Sequence, residues 1–304
     1  MTPSRPDMSA SIALDTDASA ALPPLLAEAE RAAASIWGVH GRRSAGSGET
    51  FWQYRHAQPG DALGGIDWRR SGRSDDLFVR ETEWETAQSV FLWPDESASM
   101  QFSSKNAPTT KARRAAVLSL ATAILLERGD ERFALMRADG GGRLQGRAMQ
   151  GRTGVSRMAN TLTLPVGVRA ETGTPPDTAY AMGSRALFLS DFFGDLGALS
   201  SALSAAVSRR VRGVMLQIVD PVEEAFPYSG RVLFESIGGG MRYDADRAES
   251  LRDAYRTKLA ERRAALKDMA RQAGWTFAIH RTDAPPAPAL MMIHQTLQAK
   301  KGGG

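Results

Sequence analysis

Three short apolar runs, Val90 to Trp93, Arg185 to Ser190 and Val211 to Val219, punctuate the second two-thirds of the chain. Apolar runs this short and unalternated read as strands buried on both faces. Between and after them lie segments with apolar residues at helical spacing, Lys111–Arg128, Arg152–Leu162 and Leu196–Arg209. Arg132–Met136 and Trp275–His280 read as further strands, and a long helix is predicted from Asp244 to Ala273. Strands alternating with helices predict an α/β fold, a doubly wound and mainly parallel sheet of Rossmann type.

The chain upstream has a different texture. Residues 1–20 read as a disordered tail, and Leu22–Ile36 as a short amphipathic helix. Residues 39–85 are rich in Gly and Arg and contain two β-prone pieces, Thr50–Tyr54 and Leu77–Glu81. The expected organisation is an N-terminal helix with a β-rich Arg/Trp module over 21–85 and the α/β domain over 86–283. The Pro-rich Ala284–Pro288 leads into a last helix, Ala289–Gln298, and a mobile tail to 304.

Composition narrows the function. With no cysteine there are no disulfides, thiolate metal sites or cysteine nucleophiles, which suits a reducing cytoplasm. No apolar run approaches the roughly 18–20 residues that span a bilayer, and the first residues lack the pattern of a signal peptide. The 38 basic residues are nearly matched by 34 acidic ones, for a net charge of +4. In the upstream module Arg42, Arg43, Arg69 and Arg73 interleave with Asp61, Asp67 and Trp68. Phosphate binding needs unopposed positive charge. Internal Arg–carboxylate pairing is therefore expected there, and an Arg-rich structural or nucleic-acid-binding scaffold without metal dependence is the rival reading.

One motif carries chemistry. Directly after the first buried run comes Asp95-Glu96-Ser97-Ala98-Ser99. An acid at a strand end, with hydroxyls two and four residues on, can aim three hard oxygens at one point, which suits Mg²⁺. In open α/β sheets, ligands bind beyond the carboxyl ends of the strands. Asp191 stands just past a second buried run and shares that edge. The bland alternative is that both acids cap turns or helices. The four histidines lack metal-ligand spacing, and neither a phosphate-binding Gly-x-x-x-x-Gly-Lys loop nor a Gly-x-Ser-x-Gly elbow is present. A hydrolase built on the Asp95/Asp191 pair lacks a general base in sequence. A non-enzymatic role is expected.

The series Gly41-Arg42-Arg43, Gly48-Glu49, Phe51, Arg55, Gly60-Asp61, Ile66-Asp67-Trp68-Arg69, Arg73 and Val79-Arg80-Glu81, followed by Asp95-x-Ser97-x-Ser99-Met100, resembles the domain of unknown function 58 family. The resemblance implies a von Willebrand factor A-like fold with a β-rich N-terminal elaboration. It also implies a metal-ion-dependent adhesion-type site in which Asp95, Ser97 and Ser99 form the first loop and Asp191 is the third-loop acid. Thr174 matches the second-loop threonine, with Thr172 and Thr178 as competitors. Relatives are often encoded beside MoxR-type AAA+ ATPases. The resemblance thus implies a protein-binding adaptor whose Mg²⁺ grips an acidic side chain of such a partner.

Overall fold

The structure is a computed structural model that describes residues 18–37, 50–56, 68–72, 76–83, 89–105, 107–137, 148–165, 169–240 and 242–299. Arg42, Arg43, Asp61, Asp67, Arg73 and both chain ends lie outside those residues.

The expected sheet forms. Strands β3 (Ser89–Pro94), β4 (Arg132–Leu135), β5 (Arg185–Ser190), β6 (Arg212–Val219) and β9 (Thr276–Arg281) make one parallel sheet in the order β4-β3-β5-β6-β9. Because side chains alternate along a strand, each run feeds two cores. Val90 and Leu92 point into one with Leu187, Val214 and Leu216; Phe91 and Trp93 point into the other with Phe188 and Met215. The first core is closed by α1 (Ala18–Trp37), α3 (Lys111–Arg128), α4 (Gly151–Thr163) and α8 (Pro286–Gln298). The second is closed by α5 (Leu196–Ser208) and α7 (Arg252–Ala273) through Leu199, Leu203, Leu266 and Ala270. Covering both faces explains why the central strands β3 and β5 are so largely apolar.

The order places β3 between β4 and β5, so the chain leaves β3 in one direction and returns to build outward in the other. That reversal is the topological switch point, where neighbouring loops part and leave room for a ligand. Asp95 follows β3 and Asp191 follows β5, so both acids stand at it.

Upstream, β1 (Thr50–His56) and β2 (Phe78–Glu83) pair antiparallel, matching the two β-prone pieces. Between them lies the short helix α2 (Trp68–Ser71).

Two expectations fail. The predicted long helix does not start at Asp244: that residue lies in β8 (Arg242–Ala245), which pairs antiparallel with β7 (Val232–Glu235), and α7 begins only at Arg252. Arg231 holds Asp244 across the hairpin at 2.6 Å, a contact no helical spacing reveals. The prolines thought to separate the last helix instead open it, with Pro286 in its first turn. A first-turn residue has no intrahelical acceptor for its N–H, so proline costs nothing there. Among the described residues no helix is long and apolar enough to cross a membrane.

Candidate functional site

The first loop folds back on its own acid. The Ser97 amide donates to Asp95 Oδ1 at 2.8 Å, and the Ser190 hydroxyl at the end of β5 donates to Oδ2 at 2.6 Å. Ser97 Oγ and Ser99 Oγ lie 3.2 Å apart on the same turn. Asp95 and Ser97 are buried, whereas Glu96 and Ser99 reach partly to solvent, with Glu96 held by Arg137 at 2.8 Å. Burial pushes the Asp95 carboxyl above the usual carboxylate range; the Ser190 bond pulls it back and the nearby Asp191 pushes further.

The second loop is tied to the first through backbone. The amides of Ala98 and Ser99 donate to the carbonyls of Ala170 and Glu171, both at 2.9 Å. This brings Gly173 flat against the Asp95 carboxylate, so that a Cβ on Gly173 would collide with it. Thr172 presents its hydroxyl to the third loop at Gly194, while Thr174, one residue past the glycine, is exposed.

The third loop is clamped from below. Phe192 has φ 54°, a left-handed backbone that a phenylalanine adopts only when its surroundings impose it. Arg262 of α7 imposes it by donating to the Phe192 carbonyl at 2.6 and 2.8 Å and to the Gly194 carbonyl. The Phe192 ring is buried against Trp93, and the Ser190 hydroxyl accepts from the Phe192 amide at 2.9 Å.

Asp191 has no solvent exposure. Its Oδ1 accepts from the Phe193 amide at 3.0 Å, and its Oδ2 accepts from Lys111 Nζ at 2.9 Å. The same ammonium donates to Glu223 Oε1 at 2.5 Å, and the rings of Phe102 and Phe193 lie 5.8 and 5.2 Å from it. Glu223 belongs to a capping box at the start of α6 (Pro221–Ala225). Asp220 of that box reaches the first-loop extension, accepting from the Ser104 amide at 2.9 Å. Burial works against the Lys111 charge, but Asp191 and Glu223 outweigh it and hold the ammonium above the ordinary lysine range.

Four of the five residues expected at the site thus stand on loops that converge on the switch point: Asp95, Ser97, Ser99 and Asp191. Thr174 is on the second loop but exposed. Lys111, Glu223, Ser190 and Gly173 were not singled out in sequence. Lys111 left one clue, a basic residue in the first turn of a helix, where the helix dipole disfavours it. Of the upstream residues, Trp68 is 61% exposed and Arg69 is exposed beside it.

The oxygens on the Asp95 side could hold a divalent cation: a carboxylate and two hydroxyls in mutual reach, beside a glycine whose missing side chain leaves room for that carboxylate. Among the described residues no group of three or more His, Cys, Asp or Glu is arranged to hold a metal, so hydroxyls would have to complete the set. The Asp191 side differs, because its oxygen already faces an ammonium.

Fold and site together define a parallel α/β domain with a three-loop polar cluster at its switch point. The chain belongs to the family described as "Protein of unknown function DUF58", which matches over residues 53–265. It is 25% identical over 245 residues to uncharacterized proteins of Mycobacterium bovis (Mb1516) and Mycobacterium tuberculosis (Rv1480), covering 78% of this chain and 76% of theirs. A solved structure described as an uncharacterized membrane spanning protein from Vibrio fischeri matches 69% of this chain and 96% of its own, with 15% identity and a TM-score of 0.20.

Proposed function

We propose that the chain is a non-enzymatic protein-binding adaptor that docks a partner through a Mg²⁺ ion at the switch point, in a von Willebrand factor A-like manner. The carrying observation is the Asp95 loop, with its buried carboxylate, its two hydroxyls 3.2 Å apart and Gly173 laid against it. Magnesium prefers a few protein oxygens and retains waters, which a partner's Glu or Asp can displace. The result is a charge-assisted contact with little buried area. Ser99 and Glu96 are the parts of the motif that reach solvent, so the partner approaches from that side. The partner class is a MoxR-type AAA+ ATPase, and the working location is cytoplasmic.

The test is binding of such an ATPase to the full chain with Mg²⁺ and with a chelator. Binding should require Mg²⁺ and fall at least tenfold in Asp95→Ala. Equal binding in chelator and in the variant sinks the reading.

One observation favours the Arg-rich upstream module as a second working surface: the exposed Trp68 beside exposed Arg69 could stack on a nucleobase. That reading requires steeply salt-dependent RNA or DNA binding that is lost in Trp68→Ala and indifferent to Mg²⁺.

A further inference from the structure

Lys111 combines three features that do not come together by default. It opens α3, where the dipole repels a positive charge, yet its side chain has no solvent exposure. Its ammonium bridges two carboxylates from different elements, Asp191 after β5 at 2.9 Å and Glu223 of α6 at 2.5 Å. Its remaining surroundings include the faces of Phe102 and Phe193, which suit a cation. The other oxygens of both acids are also used, Asp191 Oδ1 by the Phe193 amide and Glu223 Oε2 by the Asp220 amide. Two of the three N–H donors of the ammonium are therefore met by carboxylates of the chain itself, with two aromatic rings nearby.

We propose that Lys111 is a resident cation that removes Asp191 from the metal-ligand set, so that a divalent ion bound by this chain rests on Asp95, Ser97 and Ser99 alone. This deepens the metal-dependent docking reading and rests on it. The consequence is one of charge. An ion held by one carboxylate instead of two keeps one more unit of positive charge. With fewer charged ligands the affinity for the ion falls, and its attraction for a partner's carboxylate rises. Lys111 thus tilts the site away from tight metal storage and toward metal shared with a partner.

Mn²⁺ titration of the full chain, followed by the electron paramagnetic resonance of free Mn²⁺, tests this. Lys111→Ala opens the point between Asp191 and Glu223 to an ion. It should bind Mn²⁺ at least tenfold more tightly than the wild-type chain, and adding Glu223→Gln should abolish the gain. In the wild-type background Asp191→Asn should change Mn²⁺ affinity less than threefold. A Lys111→Ala chain that unfolds in chelator and refolds in Mn²⁺ also supports the proposal. Equal affinities in wild type and Lys111→Ala overturn it, as does a tenfold loss in Asp191→Asn. A Lys111→Ala chain that stays unfolded in Mn²⁺, alongside a wild-type chain that binds none, overturns it as well. The two readings separate through Asp95. If only Lys111→Ala binds Mn²⁺, the resident-cation assignment stands and Mg²⁺-dependent docking falls. If Asp95→Ala abolishes wild-type binding while Lys111→Ala gains nothing, the reverse holds.

Discussion

Asp95 and Asp191 look alike in sequence, each an acid one step beyond a buried parallel strand, yet the molecule treats them as opposites. Asp95 is surrounded by hydroxyls, an amide and a glycine, with no cation among its hydrogen-bond donors. Asp191 is as deeply buried but meets an ammonium brought from the start of α3. Burying a charge costs several kcal/mol unless a partner offsets it. One acid has that partner inside the chain, and the other is left to find it outside. A matching position at a strand end therefore does not imply a matching role.

The largest test of this contrast removes the partner. Lys111→Ala in chelator should lower unfolding free energy by about 3–5 kcal/mol, because it leaves Asp191 and Glu223 buried without a counter-charge. Asp95→Asn should cost only about 1 kcal/mol, since the amide oxygen still accepts from the Ser97 N–H and the rotatable Ser190 hydroxyl can turn to accept from the new NH2. Urea melts of both variants decide, and similar losses would erase the distinction.

The second test lies one turn along α3. Arg114 is also a buried cation, but it donates to the carbonyls of Thr282 and Ala284 and faces His280 instead of an acid. Burial, with Arg114 adding to it, pushes the His280 pKa down to about 4 from 6.5. A histidine depressed in the fold contributes fully above its unfolded pKa, and the contribution is lost as pH falls through the folded value. Stability should therefore decline between pH 6.5 and 4, by up to about 3 kcal/mol from this group. Urea melts across that range should show a shallower decline in His280→Gln. An unchanged slope would mean that His280 is not held neutral.

The smallest expected effect probes the cradle. Gly173→Ala drives a methyl into the Asp95 carboxylate and should cost about 1–3 kcal/mol by overpacking, together with any Mn²⁺ affinity. Gly240→Ala, where a Cβ meets nothing within 4 Å, is the control in the same melts and titrations. Equal behaviour of the two would remove Gly173 from the site.

The sheet was legible because strands buried on both faces are nearly all apolar, as Val90–Trp93 is throughout and Val214–Val219 is apart from Gln217. The Asp95 loop was legible because its carboxylate and two hydroxyls lie within a few residues of one another, whereas its Ser190 donor comes from β5 and left no local sign. The β7–β8 hairpin was not, because its four-residue strands are half exposed and Asp244 reads as easily into a helix. Lys111 and Glu223 were invisible for a related reason: their contact spans 112 positions, and only the topology brings them together. Gly173 gave no signal either, since the collision it avoids exists only once the second loop crosses Asp95.

The most direct measurement is the broadening of backbone amide resonances of the full chain by substoichiometric Mn²⁺. A cation on the Asp95 side should broaden Ser97, Ser99 and Gly173 first, ahead of the exposed acids at Asp244 and Asp246. Broadening that begins at the exposed acids and spares the first loop would contradict the account.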